Sequence, residues 1–117
     1  MEVRQVDLSD RGRCVDSSRQ IRHEFPFTGL VNQAGIIEFE TFDQFSLEGW
    51  YRTLEVNLTA ALILARELGN GMPAGSSIVN IASTDAHVSS YSSIAYSASK
   101  AALLSITRSL ANVLVLR

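Results

Sequence analysis

A chain of 117 residues has room for one domain at most. Its ten basic and twelve acidic residues are scattered and give a net charge of −2, which argues against a nucleic-acid partner and against an acidic disordered tail. Cys14 is the only cysteine, so the sequence offers neither an internal disulfide nor a zinc site, and we predict no metal. The longest apolar run, Ala60 to Ala65, is too short to span a membrane, and the start does not resemble a signal peptide. We therefore expect a soluble, cytoplasmic protein.

The first third of the chain predicts a strand, a helix and a second strand. Val3 to Leu8 is a short β-compatible run. A helix follows, capped by Ser9 or Asp10 and ended by Pro26, which cannot continue it. Thr28 to Asn32 is typical of a short buried strand that runs into a glycine-containing turn.

The remaining chain predicts two longer helices separated by a strand. Ser46 can cap a helix over 47–68, whose apolar residues recur at spacings of three and four. Ser77 to Ile81 predicts a buried strand, a serine-rich loop covers 82–93, and a last helix covers 95–114. This β-α-β-α-β-α order favours an α/β fold with a parallel sheet and right-handed crossovers.

One tyrosine and the only lysine of the chain lie one helical turn apart. Tyr96 and Lys100 are four residues apart, so they share a helix face, where the ammonium favours the ionised form of the phenol. Such a phenol can exchange a proton with a carbonyl or alcohol oxygen near neutral pH. Ser83 follows a strand at the sheet edge where open α/β sheets bind ligands. Taken alone, the Tyr96–Lys100 pair is equally typical of a solvated helix face.

Several further motifs occur in the same order and at the same spacing as in the short-chain dehydrogenases/reductases. Asn32-Gln33-Ala34-Gly35 resembles their Asn-x-Ala-Gly turn, and Asn57 resembles their helix asparagine. Ser83 lies thirteen residues before the Tyr-x-x-x-Lys motif, the family's usual interval. The chain is identified as a member of this family on these motifs, which together cover nearly its whole length.

The resemblance implies a role for each catalytic residue. Tyr96 would be the general acid/base, and Lys100 would favour its ionised form and bond the nicotinamide ribose. Ser83 would orient the substrate oxygen, and Asn57 would hold a water in a proton relay behind Lys100. The reaction would be hydride transfer between NAD or NADP and a small-molecule carbonyl/alcohol pair.

The resemblance also implies residues that line the cofactor cleft. Tyr96 and Lys100 would contact the nicotinamide end, and the other positions are Asp7 and Leu8 at the adenine, with Asn32, Ala34 and Gly35 along the cleft. Asp7 is nearly as well explained as a carboxylate that caps the following helix.

The sequence departs from the family pattern in two places. No stretch supplies the Thr-Gly-x-x-x-Gly-x-Gly turn that holds the pyrophosphate, and the family's first two strands and its C-terminal strands have no counterpart. We therefore expect residues 1–117 to form one partial domain with a Rossmann-like, doubly wound parallel sheet. In the family strand order 3-2-1-4-5-6-7, the run from Val3 to Leu8 would lack a neighbouring strand. We interpret the chain as a shortened member: a truncated product, a fragment, or one half completed by another chain.

Two other functions stay open at this stage. A non-catalytic fragment could associate with a full-length relative, or the chain could form homo- or hetero-oligomers, through helices 47–68 and 95–114, which correspond to the family's dimer helices. The Tyr-x-x-x-Lys pair also occurs in the related sugar-nucleotide epimerases. The Asn-x-Ala-Gly turn and Asn57 favour the dehydrogenases over that group.

Overall fold

The helices of the computed structural model begin and end close to the positions that the sequence predicts. The structure describes residues 2–88 and 90–115. In chain order the elements are α1 Arg11–Glu24, β1 Gly29–Asn32, α2 Leu47–Leu54, a π-helical turn Glu55–Thr59, α3 Ala60–Gly69, β2 Ser77–Asn80, a 3-10 turn Thr84–Ala86 and α4 Ile94–Leu114. No helix within the described part combines the length and the apolar character needed to cross a bilayer.

Two side-chain caps fix where the first two helices begin. The Asp10 carboxylate accepts the Arg13 amide at 3.0 Å, and the Ser46 hydroxyl accepts the Gly49 amide at 3.0 Å. Each cap satisfies an amide that has no partner inside its helix. The structure thus selects Asp10, of the two predicted candidates, as the cap of α1.

The sheet has two parallel strands, which confirms the α/β class. Asn32 is the register partner of Asn80, and the Ile81 amide continues the pairing by donating to the Asn32 carbonyl at 2.9 Å. The prediction of a strand over Val3 to Leu8 is wrong, because these residues form no strand. The physical reason is the missing neighbour: backbone groups that find no adjacent strand gain nothing from an extended, sheet-like arrangement.

The helix predicted over 47–68 is interrupted by a π turn. The Ala60 amide donates to the Glu55 carbonyl, five residues earlier, where an α-helix would use the residue four earlier. The chain continues as one helix from α2 through the π turn into α3, and the extra residue of the turn shifts the residues of α3 around the helix axis relative to those of α2.

In the part of the chain that the structure describes, helices cover one face of the sheet and leave the other open. Leu30 and Ile78 are half-buried on the covered face, whereas Val31 and Val79 are 61% and 47% exposed on the other. Alternate residues of a strand point to opposite faces, so this pattern indicates that one face of the sheet is exposed to solvent.

Helix α1 packs along α3 on the covered side, and one buried carboxylate joins them. Glu67 is 6% exposed and pairs with Arg19 of α1 at 3.0 Å and with Arg66 at 2.6 Å. Hydrogen bonds from Arg19, and then from Arg66, hold the pKa of Glu67 below its usual value. A buried carboxylate needs such partners to keep its charge.

We expect Glu67→Gln to lower the Tm at pH 7 by about 2 to 4 °C, because it removes one charge from this cluster. A carboxylate with a lowered pKa stabilises the fold above the pKa of an unfolded glutamate, about 4.3, and loses that contribution as the pH falls. The difference from wild type should therefore vanish near pH 3, as measured by thermal melts across pH. Glu48→Gln, at a side chain that is 88% exposed, is the matched control and should change the Tm little at any pH.

Candidate active site

Helix α4 carries Lys100 into a buried position beside Tyr96. Lys100 is 4% exposed, and its Nζ donates a hydrogen bond to the Ile81 carbonyl at 2.8 Å. The same Nζ lies 5.7 Å from the centre of the Tyr96 ring. Burial lowers the pKa of Lys100 from its usual value, since a charged amine is penalised away from water. The amine and the phenol thus share one face of the helix, beside the carboxyl end of β2.

The turn after β1 approaches the same amine closely. A Cβ on Gly35 would lie 3.5 Å from Lys100 Nζ and 3.4 Å from Asn57 Oδ1. Glycine keeps this space free of side-chain atoms. The ends of both strands and the π turn therefore meet around the lysine amine.

Asn57 fastens the π turn to the turn after β1. Its Oδ1 accepts the Ile36 amide at 2.8 Å, and its Nδ2 donates to the Ile36 carbonyl at 2.8 Å. The same Nδ2 donates to Ser99 Oγ at 3.1 Å, and the Ser99 hydroxyl donates to the Tyr96 carbonyl at 2.7 Å. Asn57 is 1% exposed, so these bonds satisfy an amide that has almost no access to water.

Ser83 lies two residues beyond the carbonyl that holds Lys100. Its Oγ accepts the Asp85 amide at 3.2 Å and so caps the 3-10 turn that follows β2. No described residue accepts the hydroxyl hydrogen of Ser83, so this hydrogen can be donated to a ligand oxygen. Ser83 is half-buried at the same sheet edge as Gly35.

The side chain of Asn32 points into the protein. Its Nδ2 donates to Asn80 Oδ1 at 2.8 Å and approaches the Ala61 carbonyl at 3.5 Å. Its Oδ1 is buried with no protein partner among the described residues. Any contact that Asn32 makes in a cleft beyond the strands must therefore come from its backbone.

Asp7 closes the turn that leads into α1. Its carboxylate accepts both the hydroxyl and the amide of Ser9, at 2.7 and 2.9 Å, and these bonds lower the pKa of Asp7. The Cys14 thiol lies 3.8 Å from the Asp7 carbonyl and 3.7 Å from that of Leu8, so it fastens this turn to α1. Burial raises the pKa of Cys14, which fits a packing role.

The comparison with protein families decides the family. The model for short chain dehydrogenases matches residues 1–116. The chain belongs to the short-chain dehydrogenase family.

The proteins that this chain resembles are longer than the chain itself. The NAD-dependent glycerol dehydrogenase of Listeria innocua is 34% identical over 110 residues, which are 92% of this chain and 43% of that protein. A short-chain dehydrogenase of Burkholderia cenocepacia, solved with NADP, superposes with a TM-score of 0.90 at 30% identity, over 97% of this chain and 47% of that one. A 4-hydroxyisoleucine dehydrogenase solved with NADH gives 0.87 at 31% identity, over 94% and 50%. The chain thus spans about half the length of these relatives.

The sequence missed two groups that shape the site. Neither Ser99 nor the Ile81 carbonyl was predicted to take part, yet they hold Asn57 and Lys100. A signal for Ser99 did exist, since a small polar residue directly before the lysine lies on the buried side of α4. A backbone carbonyl leaves no trace in residue type.

Proposed function

We propose that this chain supplies the proton-transfer side of an NAD(P)-dependent dehydrogenase/reductase that interconverts a carbonyl and an alcohol. The observation that carries the proposal is the buried Lys100 amine, held by the Ile81 carbonyl beside Tyr96, Gly35 and Asn57. A buried cation next to a phenol, at the carboxyl ends of parallel strands, is suited to acid/base work on a small ligand.

Each residue then has a distinct task. The Tyr96 phenol gives a proton to the substrate oxygen in reduction and takes it back in oxidation. The Ser83 hydroxyl holds that oxygen within reach. Lys100 favours the ionised phenol during the exchange and bonds the ribose, while Asn57 keeps the π turn in place and holds a relay water. The cofactor, when bound, supplies or accepts the hydride.

The described residues fit the nicotinamide end of NAD or NADP. The space that a Cβ on Gly35 would fill lies directly beside Lys100 Nζ. A ribose hydroxyl needs such an unobstructed approach to accept a hydrogen bond from the amine. The backbones of Asn32 and Ala34 would extend the same wall, and Asp7 and Leu8 would meet the adenine. The 117 residues contain no glycine-rich pyrophosphate turn, so we expect this chain to bind the cofactor weakly. Structures of relatives contain NADP or NADH, which leaves both cofactors as candidates.

Titration with NADH and NADPH, followed by nicotinamide fluorescence, tests this proposal. We expect saturable binding with a Kd of about 1 mM, equivalent to about −4 kcal/mol. Lys100→Met should weaken binding by about tenfold, since it removes a charged donor to the ribose. Arg108→Met removes an exposed charge from the same helix and should leave the Kd unchanged. A wild-type signal that stays flat for both cofactors up to about 10 mM would exclude cofactor binding by this chain.

A second function, association with a further copy or a full-length relative, is favoured by exposed apolar residues on the proposed dimer helices. Leu47, Tyr51 and Leu62 are 63%, 61% and 42% exposed, and Val113 of α4 is 51% exposed. Sedimentation of the chain, alone and mixed with a relative, separates the two functions. A monomer that binds cofactor would rule out the association.

A further inference from the structure

A series of hydrogen bonds joins β1 and β2 to α4, the helix that carries Tyr96 and Lys100. Asn32 Nδ2 donates to Asn80 Oδ1 at 2.8 Å, and Asn80 Nδ2 donates to Thr107 Oγ1 at 2.8 Å. The Thr107 hydroxyl then donates to the Leu103 carbonyl at 2.7 Å. A carbonyl can only accept, so the Thr107 hydroxyl must give its one hydrogen to Leu103. Towards Asn80 the Thr107 oxygen can then act only as an acceptor, and the direction of every bond in the series is fixed.

Asn80, the last residue of β2, and Ile81, the residue after it, therefore hold α4 at two points. The side chain of Asn80 holds Thr107, and the carbonyl of Ile81 holds Lys100. Lys100 and Thr107 are seven residues apart, nearly two full turns, so they lie on the same face and about 10 Å apart along the axis. A helix held at two such points can neither rotate about its axis nor slide along the strand without breaking a bond.

We propose that Thr107, through Asn80, is a positioning residue that sets the rotation of α4 and so keeps Lys100 at the Ile81 carbonyl. The inference rests on the proposed function, because it matters for chemistry only if Lys100 and Tyr96 act on a cofactor and substrate. Thr107 itself lies too far along the helix to touch either. Without its bond, the lysine amine is the one hydrogen bond that still joins the described part of α4 to the end of β2, while Ser99 continues to bond Asn57 of the π turn, and we expect the amine to become more accessible to solvent.

The helix offers a closely matched control for this role. Ser109 also donates to the carbonyl four residues earlier, that of Ser105, at 3.2 Å, but it is exposed and makes no bond to β2. Thr107→Val removes the hydroxyl and keeps the shape, Thr107→Ser keeps the hydroxyl, and Ser109→Ala removes only the bond along the helix.

Acylation of the lysine gives a readout that does not depend on catalysis. Lys100 is the only lysine, so an N-hydroxysuccinimide ester modifies one side-chain amine, and the N-terminal amine serves as the internal reference. We expect Thr107→Val to raise the relative acylation rate of Lys100 by about threefold or more, because α4 becomes free to shift and expose the amine. Thr107→Ser and Ser109→Ala should react like wild type.

A folded Thr107→Val variant with the wild-type acylation rate would overturn the proposal and leave Thr107 a purely stabilising residue. If that variant loses its helical circular dichroism, Thr107→Ala takes its place, since a water can replace the hydroxyl there. For Thr107→Ala, any rise in the acylation rate of Lys100 above that of wild type, even one below the threefold expected of Thr107→Val, would support the proposal. An unchanged rate would overturn it. Failure of the wild-type chain to bind NADH or NADPH contradicts the proposed function separately, because the acylation pattern is measured without cofactor.

Discussion

Replacing Asn57 by alanine is expected to lower the free energy of unfolding by about 3 to 5 kcal/mol. The change leaves the amide and the carbonyl of the half-buried Ile36 without their Asn57 partner and removes one partner from the buried Ser99 hydroxyl. Each such loss costs about 1 to 3 kcal/mol where the group has little access to water. A loss of this size is a large share of the whole stability of a small domain. Asn57→Ala should therefore be largely unfolded at 37 °C.

Urea denaturation followed by the fluorescence of Trp50 measures this loss. Asn112→Ala is the matched control, because it makes the same change at an exposed position of α4 and should move the free energy of unfolding by less than about 0.5 kcal/mol. Equal midpoints for the two variants would mean that Asn57 does not fasten the π turn to the turn after β1.

Tyr96→Phe is expected to reduce hydride transfer by about 10² to 10⁴-fold, the usual contribution of a positioned acid/base group. The substitution removes one hydroxyl from a half-buried ring, so the fold should lose less than about 0.5 kcal/mol. The measurement is the loss of NADH or NADPH absorbance with a panel of small aldehydes and ketones, with cofactor at millimolar concentration.

Tyr91→Phe is the control for this substitution, since Tyr91 is 91% exposed in the loop before α4. Its rate should equal that of wild type. If Tyr96→Phe keeps more than about half of the wild-type rate, the phenol is not the proton donor.

The sequence predicted the elements that have strong local signals. Capping residues and Pro26 set the ends of the first helices, and β-branched runs between turns set the two strands. The π turn over Glu55–Thr59 could not be predicted, because its extra residue is stabilised by bonds from Asn57 to distant parts of the chain. Likewise, Val3 to Leu8 has the pattern of a strand, and only the absence of a neighbour decides against it.

Residue types identified the candidate site better than they identified its supports. Tyr96 and Lys100 stand out because their spacing is helical and the lysine is unique. The structure adds that Lys100 is buried and held by a backbone carbonyl, which no pattern of side chains encodes. The catalytic roles of all four residues stay predictions, while the hydrogen bonds of Ser83, Asn57 and Lys100 are now defined.

NMR of the chain with labelled tyrosine and lysine tests the central claim most directly. The chain has three tyrosines and one lysine, and Tyr51 and Tyr91 are 61% and 91% exposed. On addition of NADH or NADPH at millimolar concentration, we predict shifts for the Tyr96 and Lys100 signals and none for Tyr51 and Tyr91. Shifts confined to the two exposed tyrosines, or no shift at Tyr96 and Lys100 with either cofactor, would contradict a nicotinamide site at this helix.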